Sequence, residues 1–182
     1  MPLRQCGVDE KHIGGLVGIV PVVVRYFNQP EKARTAALAH LALTHPGVKM
    51  ETAGSLIIDI LLKVLSGASL KAAILEHLER QDNPLMGHPF LKWLQDPDDW
   101  VIGPRFSTAC YVEDSVPAVI YLALKYHADP ERALIVNTNL GGDNAARGSI
   151  LGALLGASGG IERFPRPWVD GLVDPPPDIL LN

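Results

Sequence analysis

The chain has 182 residues, 47% of them apolar and 20% charged, with a formal net charge of −4. That length suits one domain with a substantial core, and the ordinary composition excludes wholesale disorder. The acidic balance provides no basic groove for phosphates, so nucleic acid is not an expected partner.

Every apolar run falls short of the roughly 18 residues of a membrane span, and the first residues carry no signal-peptide pattern. Cys6 and Cys110 are the only cysteines. They define neither a disulfide framework nor a zinc spacing, and free thiols fit a reducing compartment. The cytoplasm is the expected location.

Residues 13–27 form an apolar run whose period alone fits strand or helix. Pro21 in its middle argues against a central strand, so two short helices meeting near it are predicted. Pro30 suits a first helical position and Glu31 the favourable end of the dipole. In the helix that follows, Ala33, Ala36, Ala37, His40 and Leu41 recur at helical spacing, and it ends at Thr44-His45-Pro46-Gly47. Ala53, Leu56, Ile57, Ile60, Leu61, Val64 and Leu65 then mark one apolar stripe at helical spacing. Gly67 closes that helix, and Ser69 caps another running to about Arg80.

Residues 81–108 show no sustained period and read as a long loop with short helical pieces. Asp96, Asp98 and Asp99 crowd this loop without the spacing of a calcium loop, which fits a solvated turn. Asp114 or Ser115 is expected to cap the next helix, with Pro117 in its first turn. Asp129-Pro130-Glu131 starts another, through about Asn137, and the last strong helix spans residues 144–157. Prolines punctuate the tail from residue 165 to 182, which reads as an extended strap or loose end after a single domain of residues 1–164. Strand signals are scarce, so the expected class is all-α, a multi-helix orthogonal bundle.

The segment Asn137-Thr138-Asn139-Leu140-Gly141-Gly142-Asp143-Asn144 sets two glycines and an acid directly before a helix. The glycines permit a tight turn, and the acid falls at the N-cap. Gly148, Gly152 and Gly156 then recur every four residues along one ridge. Three helix-interior glycines cost on the order of 1 kcal/mol each against alanine, so close packing against another helix is expected to compensate. On that expectation Asp143 sits at the centre of the domain. It is either a plain cap or an oxygen ligand for Mg²⁺.

Tyr111-Val112-Glu113-Asp114-Ser115-Val116-Pro117-Ala118, Asp129-Pro130-Glu131-Arg132-Ala133 and residues 137–157 together resemble the C-terminal signature of the ADP-ribosylglycohydrolase family. His12-Ile13-Gly14-Gly15 and the Leu43-Thr44-His45-Pro46 turn are also similar to that family. The resemblance runs from about residue 10 to about residue 160. It implies an all-α fold, two central Mg²⁺ ions and cleavage of ADP-ribose from arginine, serine or related acceptors.

The family pattern after the double glycine is Asp-x-Asp-Thr or Ser. Asp143 matches the first acid, whereas Ala145 and Ala146 stand where the second acid and the hydroxyl are expected. The family's further ligands lie in a Thr/Ser-Asp-Asp motif that does not occur before His12. The expected fold is therefore N-terminally incomplete, and loss of that part would expose apolar helix faces and favour a homo-oligomer.

By the same resemblance Asp143 is the metal candidate. Asp114 matches an acid near the substrate region, although an N-cap needs no such role. Arg147 and Asn144 are the other substrate candidates: Arg147 faces an anionic group such as a pyrophosphate or pairs with an acid. His45 at its helix end reads as a partner of the last carbonyls, with a catalytic base as the alternative. Ser107 lacks the context of a hydrolase nucleophile.

Two functional classes follow. One is an Mg²⁺-dependent hydrolase of ADP-ribosyl linkages or a degenerate form of it, with ADP-ribose or an ADP-ribosylated protein as partner. The other is a non-catalytic relative, crystallin-like or ligand-binding; a fragment of a longer hydrolase would also fit.

Overall fold

The computed structural model describes residues 7–80, 85 and 87–172. The apolar run opens as two helices, α1 (Gly14–Val17) and α2 (Ile19–Tyr26), which meet at Gly18. Pro21 falls in the first turn of α2, where its missing N–H costs no helical bond. Helix α3 (Pro30–Thr44) has Pro30 at its start and ends at His45, and α4 (Val48–Leu65) follows Gly47, whose φ of 130° needs a residue without Cβ.

Helix α5 (Leu70–Leu78) begins as its sequence suggests, the Ser69 hydroxyl accepting the Ala72 N–H. The long connection contains two single-turn helices, α6 (Phe90–Trp93) and α7 (Asp98–Val101). It is rooted by an aromatic cluster: the rings of His88, Phe90, Trp93 and Phe106 pack with centroids 5.1 to 6.1 Å apart. The Arg105 guanidinium lies over Trp93 and bonds Asp96.

Asp99 is exposed as a solvated turn would have it, but Asp98 is not. Asp98 is largely buried and receives hydrogen bonds from Tyr121, Lys125 and Tyr126. These partners lie within the last turns of the next helix and its C-cap, more than twenty positions along the chain and out of reach of any local pattern.

That helix, α8 (Val112–Lys125), begins earlier than expected. Its N-cap is Tyr111, so Asp114 and Ser115 lie within the helix and Pro117 is interior. The cause is a long-range pairing: Ile13 N–H donates to Cys110 O and Val112 N–H to Lys11 O, which holds the chain extended up to Tyr111. Helix α9 (Pro130–Asn139) is capped by Asp129, α10 (Asn144–Ala157) by Asp143, and the proline-rich segment forms a short α11 (Arg166–Asp170) where a strap was expected. Pro175, Pro176 and Pro177 lie outside the described residues.

Helices α4 and α8 are apolar nearly all round and form the centre. Residues such as Ile57, Ile58, Ile60, Val119, Ile120 and Leu122 are fully buried or nearly so. Each such side chain contributes about 1.5–3 kcal/mol by leaving water. Helix α10 packs on α8, α9, α1 and α4, burying Ile150, Leu151, Leu154 and Leu155. The class is all-α; among the described residues only two isolated β-bridges occur.

Candidate functional site

The start of α10 is built by a short strap, residues 107–109, drawn between α8 and α10. Ser107 N–H donates to Asp114 Oδ1 (3.0 Å), Asp143 N–H donates to Thr108 O (3.0 Å), and the Ser115 hydroxyl donates to Ala109 O (2.7 Å). Gly142, at φ 66°, lies so near this strap that a Cβ would stand 2.0 Å from Thr108 O. The second glycine of the pair is thus required by backbone approach as well as by φ. The strap brings Asp114 and Asp143 onto two adjacent residues, Ser107 and Thr108, a relation that no spacing in the sequence announces.

Asp143 Oδ1 accepts the Ala146 N–H at 3.3 Å, as an N-cap does. The carboxylate is half-buried at the edge of the body, not at its centre, because the buried face of α10 begins with Arg147 and continues through Ile150 and Leu151. Asn144 spends its side-chain amide on Thr138 O (2.9 Å), and its own carbonyl accepts from Asn137 Nδ2 (2.9 Å).

Arg147 is fully buried. Its Nε donates to Asn137 Oδ1 (2.6 Å) and its Nη2 to Gly141 O (2.8 Å) and Asn137 O (3.2 Å), which clamps the α9–α10 turn. Nη1 has no hydrogen-bond partner. Burial pulls this guanidinium below the usual arginine range, against a smaller opposing effect of the Asp143 charge. Asn137, which the sequence reading passed over, is the hub of the turn: it contacts Arg147 and Asn144 through both ends of its amide.

The glycine ridge is less tight than expected. A Cβ at Gly148 would meet Asn137 Nδ2 at 2.8 Å, but at Gly152 and Gly156 the nearest neighbours, Leu134 and Phe164, stand at 3.9 and 3.6 Å. Side chains, not a bare backbone, face the ridge, so only its first position is crowded.

The N-terminal motifs also meet. The His45 ring lies against Gly15, where a Cβ would stand 2.6 Å from it, and His40 lies against Gly18 in the same manner. His45 Nδ1 bonds the Thr44 hydroxyl (2.9 Å), not the last carbonyls of α3, because the chain has left helical geometry at φ −130°.

The described residues do not make a magnesium site by themselves. Asp143 uses an oxygen to cap its helix, Ala145 and Ala146 offer none, and among the described residues no three His, Cys, Asp or Glu side chains converge for a metal ion.

Fold and site together define an all-α protein whose last long helix opens on a double glycine and a capping acid. The sequence model of the ADP-ribosylglycohydrolase family matches residues 1–181, and the chain belongs to that family. A solved structure described as an ADP-ribosylglycohydrolase-related protein complex is similar, with 26% identity and a TM-score of 0.67. The match covers 91% of this chain and 56% of that one, so this chain spans little more than half the length of its structural relative. Among curated proteins none matches.

Proposed function

We propose that the chain is a degenerate form of an ADP-ribosyl hydrolase, which takes up ADP-ribose or an ADP-ribosylated protein but does not complete hydrolysis with its own described residues. The observation that carries this reading is the setting of Asp143. Its carboxylate caps the Ala146 N–H, and alanines occupy the two positions where the resemblance expects further oxygens.

Family membership supports the ligand class. Arg147 holds the α9–α10 turn that presents Asp143, and its guanidinium is sealed inside that turn rather than open to a ligand. Mg²⁺ bound at Asp143 would need its other oxygens from outside the described residues, either a second copy or further polypeptide.

The test pairs calorimetric titration with ADP-ribose and an assay of ADP-ribose release from modified arginine and serine peptides, each with and without MgCl₂. Heat of binding without release, unchanged by Mg²⁺, is the expected result. Mg²⁺-dependent release that disappears in Asp143→Ala would establish the hydrolase instead. No ADP-ribose binding under either condition would remove both readings.

A further inference from the structure

A cavity of about 320 Å³ lies between α4, the first turns of α8 and the aromatic cluster of the long connection. That is the small end of the ~300–1,000 Å³ typical of small-molecule sites. Its walls include Ala53 and Leu56 from α4, Val112, Val116 and Pro117 from α8, and the His88 ring.

Three features set its chemistry. Pro117 is inside α8 and has no N–H, so the Glu113 carbonyl one turn earlier lacks its regular helical donor. Residues 113 and 117 both line the cavity, so the helical turn that holds this carbonyl borders it. His88 packs edge-on against Phe90 and Phe106, and burial lowers its pKa, so it presents a neutral imidazole at pH 7. At the mouth the Lys49 ammonium bonds the Glu113 carboxylate, and the two charges offset each other.

We propose that this cavity binds a flat, uncharged aromatic ring carrying an N–H or O–H donor, the class of indole, phenol or a neutral purine base. Its donor edge meets the Glu113 carbonyl and its faces lie against Leu56, Val112 and Val116. An anionic ring is disfavoured, because the wall offers a carbonyl and the rim cation is already neutralised. None of this depends on the ADP-ribosyl reading, which rests on the α9–α10 turn.

The experiment is methyl-resolved NMR of the full chain with indole and adenine as probes and benzoate as the anionic control. Saturable shifts at Leu56, Val112 and Val116, with an affinity in the millimolar range and at least about tenfold weaker binding of benzoate, are expected. Filling the cavity by Ala53→Leu, or independently by Val116→Phe, should abolish the shifts, with circular dichroism melts verifying the fold of each variant. Absence of saturable shifts in the wild-type protein overturns the proposal whatever the variants do. So does equal binding of benzoate, or undiminished binding in a folded cavity-filled variant. Failure of ADP-ribose to bind leaves it standing.

Discussion

Two carboxylates in this molecule invert what their sequences suggest. Asp143 stands in the most informative segment of the chain, yet its observed work is local: it caps the helix that follows it. Asp98 stands in a segment without period, yet it gathers the Tyr121 hydroxyl (3.0 Å), the Lys125 ammonium (2.9 Å) and the Tyr126 hydroxyl (2.7 Å). Lys125 further donates to Asp96 O (2.7 Å), so the whole connection is fastened to the end of α8. A signature read along the chain reports what a residue does to its neighbours in sequence. A polar network is assembled by packing and reports on the fold.

The α9–α10 turn differs from the Asp98 network in its charge balance, and that difference can be broken by mutation. Arg147 is a buried cation held by neutral acceptors, whereas Lys125 is held by a carboxylate. Arg147→Ala strands the Asn137 and Gly141 acceptors and leaves a hole, at an expected cost of about 3–5 kcal/mol. Arg147→Met keeps most of the volume and removes the unbalanced charge, so it should recover part of that loss. Urea unfolding of the two variants measures both effects. A loss below about 1 kcal/mol for Arg147→Ala would mean that the clamp does not hold the turn.

The Asp98 network should respond to pH where the Arg147 clamp does not. Burial alone would raise the Asp98 pKa, but the hydrogen bonds from Tyr126, Lys125 and Tyr121, with the Lys125 charge, outweigh it and leave it lowered from 3.8. A lowered carboxyl contributes stability that is fully present above its ordinary value and lost as pH falls through the folded one. The acid limb of the stability curve, below about pH 4, should therefore be shallower in Asp98→Asn than in wild type. At neutral pH the same variant should lose about 1.5–3 kcal/mol, because a charge-assisted bond to a mostly buried lysine is gone. Identical acid limbs would remove Asp98 from the acid response.

How far the sequence could be read follows the same division. The caps Ser69, Asp129 and Asp143 and the bounds of α10 were legible, because a cap and the turn it serves lie within three or four residues. The apolar stripe of α4 was legible for the same reason. The start of α8 was not, because the pairing of residues 11–13 with 110–112 overrides the local cap signal of Asp114. Nor was the strap of residues 107–109, although the double glycine marked one of the backbones it approaches. Within the candidate site, Asp143, Asn144 and Arg147 are legible as candidates, while Asn137, which ties two of them together, stands in the signature segment without a chemistry that marks it out.

The glycine ridge gives the smallest effect and the sharpest sign. Alanine in a helix interior is favoured over glycine by roughly 0.8–1 kcal/mol when nothing opposes the added methyl. At Gly152 the nearest atom to such a methyl is Leu134 Cδ2 at 3.9 Å, so Gly152→Ala should stabilise by about that amount. At Gly148 the methyl would meet Asn137 Nδ2 at 2.8 Å. That amide cannot swing aside freely, because it donates to Asn144 O while its oxygen accepts from Arg147 Nε. Gly148→Ala should therefore destabilise by about 1 kcal/mol despite the same gain in propensity, a difference of about 2 kcal/mol between two positions one turn apart. Thermal melts of the pair measure it directly. Equal stabilisation at both would show that Asn137 yields without cost, and the α9–α10 turn would then be no more rigid than the rest of the ridge.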